Sequence, residues 1–134
     1  MDKTVILIII AVVLVGGFFW VLQSGIFSGP IKPTPLPAGI VLFYGQGCPH
    51  CKDVEDFISQ NKIDEKVKIT RLEVWYNRNN QATLAEVVQK CGISASSVGV
   101  PFLYAPSTIS GQAGKCYIGE VDVPNFLKTQ AGIK

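Results

Sequence analysis

The sequence predicts an α/β domain, β-α-β-α-β-β-α in element order with a four-stranded mixed sheet and helices on both faces, preceded by one N-terminal transmembrane helix. Three observations predict it. An uncharged, almost wholly apolar run fills residues 4–22. A stretch rich in Pro and Gly follows at 23–39, and from Ile40 onward strand-type and helix-type patterns alternate. At the first strand-to-helix junction of that alternation stands Cys48-Pro49-His50-Cys51. At 134 residues there is room for one domain plus an appendage. The net charge of +2 comes from interspersed acidic and basic side chains, which form no nucleic-acid footprint.

The 19 residues of 4–22 span about 28 Å as a helix, close to the ~30 Å hydrocarbon core of a bilayer. Trp20, near the far end, suits the membrane interface. A cleaved secretory signal is the competing reading. Its apolar region would run only about 7–15 residues and end in a small-x-small site. Ser24-Gly25 and Ser28-Gly29 supply small residues without an Ala-x-Ala pattern, so the length favours an uncleaved signal-anchor. No cysteine follows the run where a lipoprotein anchor needs one. Lys3 and Lys32 give only a slight charge bias. The short stub at 1–3 favours a cytoplasmic N-terminus, a single pass through the cell membrane and a domain at 40–134 outside the cytoplasm. Residues 23–39 read as a linker, since Gly25, Gly29, Pro30, Pro33, Pro35 and Pro37 favour extended backbone that holds the domain off the bilayer.

Within the domain, residues 40–45 are apolar on both sides, as in a central strand covered by helices on each face. Residues 48–61 form a helix with Cys51, Val54, Phe57 and Ile58 on one face, which buries Cys51 and leaves Cys48 at the exposed tip. Residues 67–74 form a strand interrupted by Arg71 and Glu73. Residues 77–90 form a helix whose Leu84, Val87, Val88 and Cys91 share a stripe, with Cys91-Gly92 at its end. Residues 100–104 and 115–118 read as a hairpin around a loop at 106–114. Asp122 caps a last helix with Pro124 in its first turn, docked by Phe126 and Leu127.

The chemistry lies in the Cys48 to Cys51 pair. Two thiols this close at a helix start make and break a disulfide without backbone movement. The unpaired N–H groups and the dipole of the helix N-terminus favour a thiolate on the first of them. Metal binding would need a second Cys pair or a Cys/His pair at ligand spacing, and the only histidine lies inside the motif. A stapling disulfide would close too short a loop to stabilise the fold much. Redox chemistry is the reading that uses both thiols.

A strand, then Cys-Pro-His-Cys opening a helix, then Val100-Pro101 starting a strand about fifty residues on, resembles the thioredoxin superfamily over residues 40–134, in a form of glutaredoxin-like size. The Pro49-His50 dipeptide and the valine before the matching proline are similar to the DsbA-type thiol oxidases. The resemblance implies Cys48 as the attacking thiolate and Cys51 as the resolving thiol, supported by Pro49. It implies a cis Pro101 packed against the Cys48–Cys51 turn, with Val100 pairing the substrate's extended chain. It makes His50 the partner of the Cys48 thiolate; the plainer reading is a solvated helix-face residue. One position departs: Leu42 stands where thioredoxin and DsbA place a buried acid, which leaves water to take the proton of the resolving thiol.

The expectation is a membrane-tethered thiol–disulfide oxidoreductase exchanging the Cys48–Cys51 disulfide with cysteine-containing extracytoplasmic proteins and recycled by a membrane redox partner. The dithiol is itself the redox carrier, so no cofactor and no metal are needed. The Pro-His dipeptide favours the oxidase direction. A reductase of the cytochrome c maturation type and a CxxC metal chaperone are the alternatives. For Cys91 and Cys116 two readings stand open. They are buried free thiols, acceptable as small hydrophobes, or they form a bridge in an oxidising compartment.

Overall fold

The computed structural model describes residues 2–23, 29–107 and 114–133. Met1 of the stub, residues 24–28 of the linker, 108–113 of the hairpin loop and Lys134 lie outside the described residues. The chain divides into two units, Met1–Pro30 and Ile31–Lys134.

In the first unit, Lys3–Gln23 forms one helix, α1, with none of its side chains buried. An apolar run of this length satisfies its backbone polar groups within the helix itself. The helix is long and apolar enough to cross a membrane.

The second unit carries β1 (Ile40–Tyr44), α2 (Pro49–Gln60), β2 (Ile69–Glu73), α3 (Arg78–Lys90), β3 (Phe102–Ala105), β4 (Lys115–Ile118) and α4 (Gly119–Ala131). Short 3-10 turns at Ile63–Glu65 and Ala95–Ser97 join them. The sheet runs in the order β2-β1-β3-β4. β1 pairs parallel with β2 and antiparallel with β3, and β3 pairs antiparallel with β4. The sheet is therefore mixed. β1 has a strand on each edge and helices over each face, which is why Val41, Leu42 and Phe43 are all at most 1% exposed.

Strand alternation divides the core in two. Leu42, Leu103 and Tyr117 face α2 and α4, where Val54, Ile58, Val123 and Leu127 pack on them. Tyr117 also stacks on Phe126, ring centroids 4.3 Å apart. Val41, Phe43, Phe102 and Tyr104 face α3 and meet Leu84, Val87 and Val88. Phe43 and Phe102 meet edge to face at 6.1 Å.

Two expectations change. The last helix starts at Gly119 rather than at an Asp122 cap, and Pro124 lies inside it. Gly119, at φ +87, turns the chain from β4 straight into the helix. Asp122 then sits in the first turn with Glu120, where the helix dipole favours negative charge. The stretch expected as a linker also contributes to the domain. The Thr83 hydroxyl donates to the Thr34 carbonyl at 2.7 Å, the Thr34 hydroxyl donates to Asn80 Oδ1 at 2.6 Å, and Leu36 packs on the α3 cluster.

Candidate active site

β1 ends at Tyr44, and the chain turns through Gly45-Gln46-Gly47 into α2. Gly47 takes φ +85, a conformation that favours glycine. The Cys48 N–H donates to the Gly45 carbonyl at 3.1 Å, closing the turn. Cys48 keeps extended backbone as the N-cap of α2, and Pro49 follows where its missing N–H costs nothing. The Cys48 Sγ accepts the Cys51 N–H at 3.4 Å, taking the place of the oxygen of an ordinary N-cap residue. Helix propensity and capping thus place a sulfur on the unpaired N–H groups of a helix start.

The expected neighbours meet here. The Val100–Pro101 bond is cis, and the Cys48 thiol donates to the Val100 carbonyl at 3.8 Å. The Pro101 carbonyl accepts the Gly119 N–H at 2.8 Å, tying this loop to the start of α4. The next residue, Glu120, holds His50 Nδ1 through a carboxylate oxygen. His50 is therefore neither buried nor simply solvated: its side chain is 63% exposed and hydrogen-bonded to that carboxylate.

Cys48 is not the exposed tip that the helix pattern suggested. It is 7% exposed and Cys51 4%, because the Val100 loop lies against the helix start. Both are unbonded to any other sulfur. Burial, and after it the hydrogen bond with Cys48, pushes the Cys51 thiol up to about 12. Access is through an open groove of about 520 Å³, lined by Tyr44, Gly45, Gln46, Gly47, both cysteines, Pro49, Lys52 and Glu55.

Cys91 and Cys116 are joined by a disulfide, with Cα atoms 6.3 Å apart. Cys91 is the C-cap of α3, and Cys116 lies on β4 on the face that α3 covers, so helix end and edge strand are neighbours after all. This pair does not line the groove at Cys48.

Four residues around the site went unforeseen. Arg71 pairs in register with Leu42, so it occupies the α2 face of the sheet. There its Nε donates to both Glu55 oxygens at 2.8 and 3.0 Å, and Asp64 holds its far end. Glu55 stands one helical turn after Cys51, and that spacing was the available signal. Glu73 accepts four backbone N–H bonds, from Gln46 at 3.3 Å, Trp75 at 2.7 Å, Tyr76 at 3.0 Å and Asn77 at 3.1 Å. Nothing in its strand context announced that, and the charge at Glu120 gave no hint of its partner.

His50, Asp53 and Glu120 bring possible metal-ligand atoms within 4.8 Å of one another, all on exposed side chains. Because Cys91 and Cys116 are bonded to each other, the described cysteines offer a metal only the two thiols of the Cys48–Cys51 pair. Comparison of the chain with models of known protein families and with characterised proteins finds no match.

Proposed function

We propose that this protein is a membrane-tethered thiol–disulfide oxidoreductase of thioredoxin-like fold, working outside the cytoplasm in the oxidase direction. The observation that carries the reading is the Cys48 sulfur, seated on the N-terminus of α2 with Cys51 within disulfide reach and the Val100 carbonyl beside it. The strand order β2-β1-β3-β4 and the cis Val100–Pro101 bond support the fold assignment. The Cys91–Cys116 bridge supports an oxidising compartment, and α1 supports the membrane tether.

In the proposed reaction a substrate thiolate attacks Cys48 Sγ of the Cys48–Cys51 disulfide. The bond to Cys51 breaks, Cys51 leaves with the electron pair and takes a proton, and a mixed disulfide remains at Cys48. A second substrate thiolate attacks the substrate sulfur of that bond. The substrate leaves with its disulfide, and Cys48 leaves as a thiolate held by the helix N-terminus. Two electrons now rest on the dithiol, and a membrane redox partner removes them. The oxidase direction rests on Cys48: a helix N-terminus favours its thiolate, and stabilising the reduced form makes the disulfide the stronger oxidant.

The test is the reduction potential of the Cys48–Cys51 couple in the full-length protein in detergent, by equilibration with glutathione. A value above roughly −200 mV supports the oxidase, and one near −270 mV makes the protein a reductase. Stoichiometric Cu(I) or Zn(II) binding lost in Cys48→Ser, with no exchange activity, makes it a metal chaperone.

A further inference from the structure

Beside the groove to Cys48 stands Trp75, its ring on Gly45, and the next residue is the exposed Tyr76; neither has a role in the chemistry above. Trp75 is 49% exposed and Tyr76 77%, although tryptophan is usually among the well-covered residues. They are held in place. The Glu73 carboxylate accepts the N–H groups of Trp75, Tyr76 and Asn77 on one side and of Gln46 on the other, so one side chain locks the aromatic segment to the redox loop. The Val74 N–H donates to the Tyr44 carbonyl at 2.9 Å, and Asn80 Nδ2 donates to the Glu73 carbonyl at 2.8 Å. The Trp75 ring lies directly on Gly45, where any Cβ would overlap it. Gly45 is also the residue whose carbonyl accepts the Cys48 N–H, and it lines the groove to Cys48.

We propose that Trp75 and Tyr76 form a docking shelf for the chain flanking the substrate cysteine, so that extended polypeptides with a large apolar or aromatic residue near the reacting thiol are preferred over small thiols. This rests on the oxidoreductase reading and names its substrate class. Cys48 is reached through the groove, and a cysteine within a polypeptide carries its neighbours with it at about 3.3 Å per residue. Those neighbours must lie on the groove rim, and the Gly45 rim carries the Trp75 ring. Aromatic side chains of few rotamers lose little entropy on contact, and Trp and Tyr are enriched among residues that dominate binding. A fixed shelf adds preorganisation. A lipid surface is the other partner that exposed Trp and Tyr suit, but a bilayer resting on this shelf would close the groove to Cys48.

The test uses the full-length protein, in detergent and in nanodiscs, with three reductants: dithiothreitol, a two-cysteine peptide with Phe beside each cysteine, and the same peptide with Ser in place of Phe. The wild type, pre-oxidised at Cys48–Cys51, oxidises the Phe peptide with the highest single-turnover second-order rate constant. In Trp75→Ala/Tyr76→Ser the ratio of that constant for the Phe peptide to that for dithiothreitol falls about tenfold, the size expected of a dominant contact. Trp75→Phe restores most of it, which separates a docking role from a collapsed loop. An unchanged ratio, or equal losses with all three thiols, overturns the shelf while the oxidoreductase reading stands. Exchange with none of the three overturns both. Preference for the Phe peptide that vanishes in nanodiscs assigns the shelf to lipid and overturns the proposal.

Discussion

Helices α2 and α3 each carry a cysteine at one end, and the two ends are chemically opposite. In α2 the cysteine is the N-cap, its sulfur accepting a backbone N–H from inside the helix. In α3 it is the C-cap, beyond which only carbonyls are left unpaired. The partners differ as well. Cys51 lies three residues along the same helix, whereas Cys116 lies 25 residues away on the edge strand. A helix start favours a thiolate, and a short loop gives little back when the bond closes, so the α2 pair is suited to cycling. A helix end offers a thiolate nothing, and a long loop gains most from closure, so the α3 pair is suited to staying bonded. Burial ranks the pairs the other way from bonding: the unbonded Cys48 and Cys51 are buried, and the bonded Cys91 and Cys116 half-buried.

The comparison breaks first, if it breaks, on activity. Cys48→Ser removes the attacked sulfur and is expected to lower peptide oxidation by at least about a thousandfold, as loss of a nucleophile does. Cys91→Ser/Cys116→Ser leaves the groove intact and is expected to keep the rate within about twofold when measured below the melting temperature of the variant. Comparable losses in both would erase the distinction between the pairs.

Cys51 provides the next largest effect. Burial, the largest cause of the raised Cys51 thiol, persists when Cys48 is tied up in a mixed disulfide, so resolution there follows a small thiolate fraction. The single-turnover rate of that step is expected to climb about tenfold per pH unit between roughly pH 6 and pH 9, with no plateau. Stopped-flow measurement of a preformed mixed disulfide reads it directly. A plateau near neutrality would mean that Glu55, or another group in the groove, takes the proton more readily than burial implies.

Stability reverses the ranking of the pairs. A 25-residue separation corresponds to about 3 kcal/mol of stabilisation in the chain-entropy account. The Cys91→Ser/Cys116→Ser protein is therefore expected to melt roughly 10–20 °C lower. Cys48→Ser/Cys51→Ser, denatured and alkylated without reductant, is expected to take up no label. Two labels per chain would mean that the α3 pair is not bridged.

Much of this was legible in the chain, and the reasons are physical. Strand β1 could be read because Ile40-Val41-Leu42-Phe43-Tyr44 is apolar on both faces, which only a covered central strand tolerates. The N-terminus of α2 could be read because Pro49, whose fixed φ and missing N–H suit a first helical position, leaves a local signal. The start of α4 could not. Asp122 and Pro124 imitate a helix entry, whereas the true entry uses Gly119 and a bond to the distant Pro101 carbonyl. The same holds for Glu73, Arg71 and Glu120. Their partners are 7 to 70 residues distant in sequence, or are backbone groups of a turn that only the fold assembles. Periodicity reports which face a residue occupies, and carries nothing about which charge waits across it.

His50 gives a smaller test of whether a neighbouring side chain adds to what the helix start offers a thiolate at Cys48. Its side chain is 63% exposed and engaged by Glu120, so solvent and the carboxylate both screen it. His50→Ala is expected to lower the potential by no more than about 30 mV, a tenfold change in the exchange equilibrium. A much larger fall would transfer the role of the helix N-terminus to His50.

The smallest effect is expected at Glu73, the residue that joins the two helices. Its carboxylate holds the redox loop through Gln46 and the entrance of α3 through Asn77. Desolvation alone would raise its pKa, but the four backbone donors outweigh that and hold it below the ordinary value near 4.5. The ionised form is thus favoured in the folded state. Its contribution is fully present above the unfolded value and is lost as pH falls through the lower, folded one. Glu73→Gln is expected to lower the urea midpoint slightly at pH 7, with the difference from wild type shrinking as pH falls through the lowered, folded-state value. Peptide oxidation is expected to fall a few-fold at neutral pH, on the order of the loss of one charged hydrogen-bond acceptor. A midpoint difference that persists unchanged into acid would mean that shape, and not charge, holds the loop. A rate that does not move would mean that the redox turn of α2 keeps its geometry without any tie to α3, leaving the two helix ends independent.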